Sequence, residues 1–144
     1  MPLTLLRIAI GSFFFASGFT KLVVPANQAA MLETLTQAGI PFPQWMAPIV
    51  SGFEVLAGVL LTIGFASRLG ALILATISLT ALVTVGTRAI PPHLGAIAWY
   101  SWLLYLPEML YLLVCFLICV QGSGPWSIDA RLCRRGAQLA RPEY

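Results

Sequence analysis

Apolar residues in this chain gather into four long runs, each of a length that suits a helix crossing a lipid bilayer. They cover about residues 3–22, 46–66, 69–87 and 99–120. A helix rises about 1.5 Å per residue, so roughly 20 residues bridge a hydrocarbon layer about 30 Å thick. The third run has no charged residue, the second only Glu54 and the fourth only Glu108. Trp99, Tyr100, Trp102 and Tyr105 open the fourth run, and such amphipathic rings favour the headgroup level, so they mark a membrane boundary.

The segments between the runs are equally patterned. Residues 23–45 form the longest connection; within it Pro25 to Gln37 has Ala29, Leu32 and Leu35 near one side and Asn27, Gln28 and Glu33 on others, which predicts a short helix on the outer surface. Gly39, Pro41 and Pro43 end it before Trp45 anchors the next run. The turn at Ala66, Ser67 and Arg68 is so tight that it predicts an antiparallel helical hairpin. Pro91 and Pro92 interrupt the link between runs three and four, and Gly122, Ser123, Gly124 and Pro125 break the chain before a basic tail at 130–144. The predicted fold is therefore an all-α membrane protein, one domain over residues 1–144: a bundle of four transmembrane helices with a short outer surface helix between spans one and two.

Composition agrees with this reading. The chain is 59% hydrophobic and 9% charged, against about a quarter charged in soluble globular proteins. Its formal charge of +3 does not form a basic domain suited to nucleic acid; the positive residues read as topology signals. Four crossings put Arg7, Arg68, Arg131, Arg134, Arg135 and Arg141 on one side, with only Lys21 and Arg88 bordering the other, so both termini are expected in the cytoplasm. The first run is expected to be retained rather than cleaved as a signal peptide: it is long for that role, and three crossings would send the Arg-rich tail outside.

Within the spans, polar and small residues fall on single helix faces: Arg7, Gly11, Gly18 and Lys21 in the first, Ser51, Glu54, Gly58 and Thr62 in the second. Thr76, Thr80 and Thr84 line up in the third, and Ser101, Tyr105, Glu108, Cys115 and Cys119 in the fourth. An ionised side chain in hydrocarbon is expensive, so charged residues should turn toward the bundle or water. Glu54 and Glu108 lie at similar depth, roughly 10 Å below the outer boundary at about 1.5 Å per residue. Together with Lys21 and Arg88 they make a candidate polar intramembrane site facing outward, while Arg7 and Arg68 stay at the inner boundary. One reading is an ion-paired or protonated carboxylate pair that only fixes helix register; the other is a pocket for a small polar or quinone-like molecule in which a carboxylate handles protons.

Cys115 and Cys119, four residues apart, admit soft-metal or redox chemistry but read more simply as small buried hydrophobes, and Cys133 as a free thiol. The lone histidine, His93, excludes a bis-histidine haem within one chain and reads as an outer-loop residue. Pro107 is placed to kink the fourth span beside Glu108. No Walker motif, zinc spacing or Ser, His, Asp order is present, so neither nucleotide-driven chemistry nor a metal site is expected.

Three stretches resemble the DoxX family of small bacterial membrane proteins: Leu6 to Gly11 continuing to Gly18, Phe19, Thr20, Lys21 and Leu22; Phe53, Glu54, Val55, Leu56, Ala57 and Gly58 continuing to Arg68; and Gly122 to Asp129. The family-like positions are Arg7, Gly18, Lys21, Glu54, Gly58, Arg68 and Asp129; Glu108 and the cysteines are not among them. The resemblance implies four helices in a bacterial inner membrane and a loose link to redox, as DoxX-like chains serve as small subunits of thiosulfate:quinone oxidoreductase and in membrane complexes with oxidative-stress enzymes. The function expected is an accessory subunit of such a system, with no cofactor site of its own, a quinone as its candidate ligand, and a protein partner or a second copy beside it in the bilayer. The alternatives are a membrane scaffold or chaperone without catalytic activity and, behind that, a small transporter.

Overall fold

The computed structural model describes residues 2–122, 124 and 127–129, and the regular structure among them is entirely helical. The predicted basic tail at 130–144 lies outside the described residues. Among the described residues six α-helices are bounded, in chain order α1 (Pro2–Val23), α2 (Pro25–Gln37), α3 (Pro43–Ile63), α4 (Ser67–Thr84), α5 (Ala96–Tyr105) and α6 (Pro107–Gln121). Helices α1, α3 and α4, the last extended by a 3₁₀ turn to Ala89, are long and apolar enough to cross a membrane; α5 and α6 qualify only when taken as one pair. Lipid-like inversion marks their surfaces, where Phe13, Phe53, Leu56, Leu72, Val83 and Phe116 are exposed.

Helices α1 and α3 meet along a seam of glycines. A methyl group on Gly58 would lie 2.6 Å from Phe15 N and 2.7 Å from Gly11 O, closer than any carbon can sit, so these backbones touch because side chains are missing. Where lipid removes the hydrophobic driving force between helices, such close backbone approach is what holds them. Beside the seam one apolar core joins four helices: Ile10 and Phe14 of α1, Ala57 and Leu61 of α3, Ala71 and Leu74 of α4, Cys115 and Ile118 of α6. Tyr111 of α6 packs its ring on Phe13 and Phe14 at centroid distances of 4.7 and 5.4 Å.

At one end of the bundle the chain turns from α3 into α4. Gly64 takes a left-handed backbone with φ 74°, its N–H reaching Leu61 O while Phe65 N–H reaches Leu60 O, which satisfies the last carbonyls of α3. The first amides of α4 are satisfied from far along the sequence: Asp129 accepts from Ala66 N at 2.8 Å and Ser67 N at 3.1 Å, and its own N–H donates to Gly64 O. Arg7, only 1% exposed, lies beneath this turn, so close that any side chain at position 64 would collide with its guanidinium.

The fourth apolar run differs from a straight span. It breaks at Leu106, whose extended backbone (φ −68°, ψ 130°) is the conformation favoured before a proline, and α5 leaves α6 at 68°. Pro107 has no N–H to continue α5 and instead starts α6 at its first turn. The predicted face of Ser101, Tyr105, Glu108, Cys115 and Cys119 is thereby cut: Ser101 and Tyr105 ride on α5, which has no buried residue, and Tyr105 is 83% exposed. Helix α2 is too short to cross a bilayer; it packs across α1 and α3 and buries only Leu35.

Candidate functional site

The geometry of the site starts from Gly18. A methyl there would lie 2.9 Å from Glu54 Cβ, so α1 and α3 are still in close backbone approach at the level of that carboxylate. One turn further along α1, Lys21 reaches across, and its Nζ donates to Glu54 Oε1 at 2.9 Å and Oε2 at 2.8 Å. Glu54 is 4% exposed, so its charge is held out of water by a single two-pronged partner. Ser51, one turn before Glu54 on the same face, is equally buried.

Glu108 arrives from the opposite wall. It is the second residue of α6, where the unpaired amides of a helix start favour negative charge. Its Oε2 is shut away from solvent and accepts no hydrogen bond from the described residues. Gly86, beyond the end of α4, packs beside it: a methyl there would sit in ordinary contact with that oxygen at 3.7 Å and more tightly, at 3.3 Å, against Leu82 and Leu106.

Lys21, Glu54 and Glu108 face one cavity of about 600 Å³, within the range of small-molecule sites. Its walls come from α1, α3, α4 and α6, and Met31, Thr34 and Leu35 of α2, with Ala38 just past its end, cover part of its half-open side. The threonine stripe Thr76, Thr80 and Thr84 of α4 also lines it, each hydroxyl donating to the carbonyl four residues back at 2.9, 2.9 and 2.7 Å. A second hollow of about 450 Å³ between α2 and the start of α3 has Lys21 as a wall too, so this side chain stands between the two.

Arg88 is not brought to the cavity. Its Nη1 donates to Gln37 O at 2.7 Å and so clasps the C-terminal end of α2, where carbonyls lack helical partners. Arg7 and Asp129 meet the α3–α4 turn at the opposite end, and Arg68 lies beside Gly122 there. Gly58 belongs to the helix seam. Cys115 is fully buried in the core, while Cys119 directs Sγ to Arg68 O at 3.6 Å; both are free thiols. His93 sits exposed in the loop before α5. Among the described residues no three His, Cys, Asp or Glu side chains are grouped for a metal ion.

Sequence reasoning missed the closing role of α2 and the part of Ser17 and Thr20 in the wall. The signal was present in the spacing of Asn27, Met31, Thr34 and Ala38, which share one side of a helix at intervals of three and four.

Comparison with known proteins agrees with the membrane fold. The DoxX family model matches residues 3–87, more than half of the chain. The chain is 26% identical over 133 residues to "Uncharacterized membrane protein Rv3486" of Mycobacterium tuberculosis, covering 90% of this chain and 80% of that one. It is 32% identical over 106 residues to "Putative oxidoreductase CatD" of Bacillus subtilis, covering 73% of this chain and 72% of the relative. No solved structure gives a significant match. With apolar helices fit to cross a bilayer and a family match that takes in both Lys21 and Glu54, this multi-pass bacterial membrane protein belongs to the DoxX family.

Proposed function

We propose that the chain is an accessory subunit of a membrane-associated redox or oxidative-stress system, independent of nucleotides, which holds a small quinone-like molecule while a partner protein carries the electrons. The observation that carries this reading is the cavity of about 600 Å³ whose wall holds both an ion pair, Lys21–Glu54, and a second acid, Glu108, with its Oε2 buried and without a hydrogen-bond partner among the described residues. A structural ion pair needs no hollow beside it, and a hollow among apolar helices needs no carboxylates; together they suit a ligand with an apolar body and a polar head. Glu108 is then the group that exchanges a proton with the ligand, and Lys21 with Glu54 orients it. The printed name of the Bacillus relative, a putative oxidoreductase, supports the redox part.

The reading includes a location: the bacterial inner membrane, four crossings with α5 and α6 together making the fourth, both termini in the cytoplasm, and α2 on the outer surface over the cavity. The arginine distribution supports this orientation.

The test is to purify the protein in mild detergent from its native membrane and identify what accompanies it by mass spectrometry. A lipid-soluble quinone or hydroquinone and a redox-active protein partner are expected, with the small molecule reduced at least tenfold by Glu108→Gln or Glu54→Gln in variants that still insert. Recovery of neither, from wild type, contradicts the reading.

A further inference from the structure

The polar groups around the cavity are unequal in kind. Five threonines line it, and every one has spent its hydroxyl hydrogen on a backbone carbonyl: Thr20 on Ser17 O, Thr34 on Ala30 O, and Thr76, Thr80 and Thr84 on the carbonyls before them. Any of these oxygens turned toward a ligand has only lone pairs to offer. Lys21 has three N–H donors, two of them engaged by Glu54, which leaves one. Glu108 Oε2 is an acceptor without a donor, and Arg88, the nearest further cation by sequence, is turned away to Gln37 O. Only Ser17 and Asn27 can serve either way. The cavity is thus rich in acceptors and poor in donors.

We infer that the cavity selects a neutral ring bearing O–H donors, the reduced hydroquinone form of its ligand, over the oxidised quinone, with one ring hydroxyl donating to the Glu108 carboxylate and the remaining Lys21 N–H meeting an oxygen of the ring. This rests on the proposed quinone-like ligand and adds its redox state. A quinone has two carbonyl acceptors and no donor, so it leaves an ionised Glu108 unpaired and sets lone pair against lone pair along the threonine wall. A site built to accept hydrogen bonds rejects an analogue that lacks the hydrogen, because its own buried groups stay unsatisfied. Small oxyanions fare worse, since they bring negative charge to a cavity whose single cation is already committed to Glu54.

The experiment uses the full-length protein in lipid nanodiscs under anaerobic conditions. Three probes with the same ring and tail are titrated calorimetrically: a decyl-tailed benzoquinone, its hydroquinone, and the hydroquinone dimethyl ether. Expected is at least tenfold tighter binding of the hydroquinone than of the other two, with Glu108→Gln, whose amide both donates and accepts, reducing the preference below threefold. The ether comparison needs no variant, so a misfolded Glu108→Gln protein leaves the question answerable. Equal binding of all three, or tighter binding of the quinone, overturns the inference and leaves the proposed ligand class standing. Binding of none overturns both.

Discussion

Lys21 and Glu54 are bound to each other through both carboxylate oxygens, at 2.9 and 2.8 Å, with the acid buried and the lysine side chain 27% exposed. Taking away one partner leaves the other charge unpaired among helices, a loss of roughly 3 kcal/mol for buried pairs and less where water reaches the lysine. Lys21→Met is therefore expected to lower stability in reversible detergent unfolding by about 2–3 kcal/mol, and Lys21→Met with Glu54→Leu to recover most of it. A double variant no more stable than the single one contradicts the pairing. Gly58 faces Phe15 N at a distance no methyl can tolerate, so Gly58→Ala should separate α1 from α3 at a cost of about 1–3 kcal/mol, read in the same assay. At this scale the sequence was informative where helical spacing decides the matter. Gly11, Gly18 and Lys21 of one predicted face and Ser51, Glu54, Gly58 and Thr62 of the other meet along the seam, while Arg7 of the first lies at its end, under the α3–α4 turn. Arg88 was illegible, because a long side chain just past a helix end has several partners in reach, and only the fold decides that Gln37 O takes it.

Between elements, two joints matter most. The α5–α6 break is attributed here to Pro107, which removes an N–H and forces Leu106 into an extended backbone. Spin labels at 97 and 117 stand at roughly 25 Å with a 68° bend and about 30 Å along one straight helix, from a rise of ~1.5 Å per residue. Pro107→Ala is expected to lengthen the distance measured by electron spin resonance by about 5 Å; no change would assign the bend to the packing of Leu106 against Leu82 and Ile90 instead. The second joint is Asp129 at the start of α4, where loss of the cap in Asp129→Ala should cost about 1–2 kcal/mol. Four apolar runs were legible from length alone, and Pro107 from its position. The size of the bend was not, since a proline in a membrane helix is compatible with anything from a slight kink to a full break. Nor was the contact between Asp129 and the α3–α4 turn, which joins residues more than sixty positions apart.

For the whole molecule, the half-open cavity exists because five elements line it: α1 and α3 locked together at the glycine seam, α4 and α6 as the facing wall, and α2 across the end. All of this presupposes that α5 and α6 together complete a fourth crossing, bringing Glu108 down among the other helices rather than dipping in and returning to the same side. Single cysteines at positions 68, 93 and 121, each in a chain with Cys115, Cys119 and Cys133 replaced by alanine, can be labelled with a membrane-impermeant maleimide in intact and in opened cells. Labelling at 93 in intact cells, and at 68 and 121 only after opening, is the expected result. Labelling of 93 and 121 from the same side would contradict it, since α6 would then not cross the membrane and Glu108 would have no cavity to face.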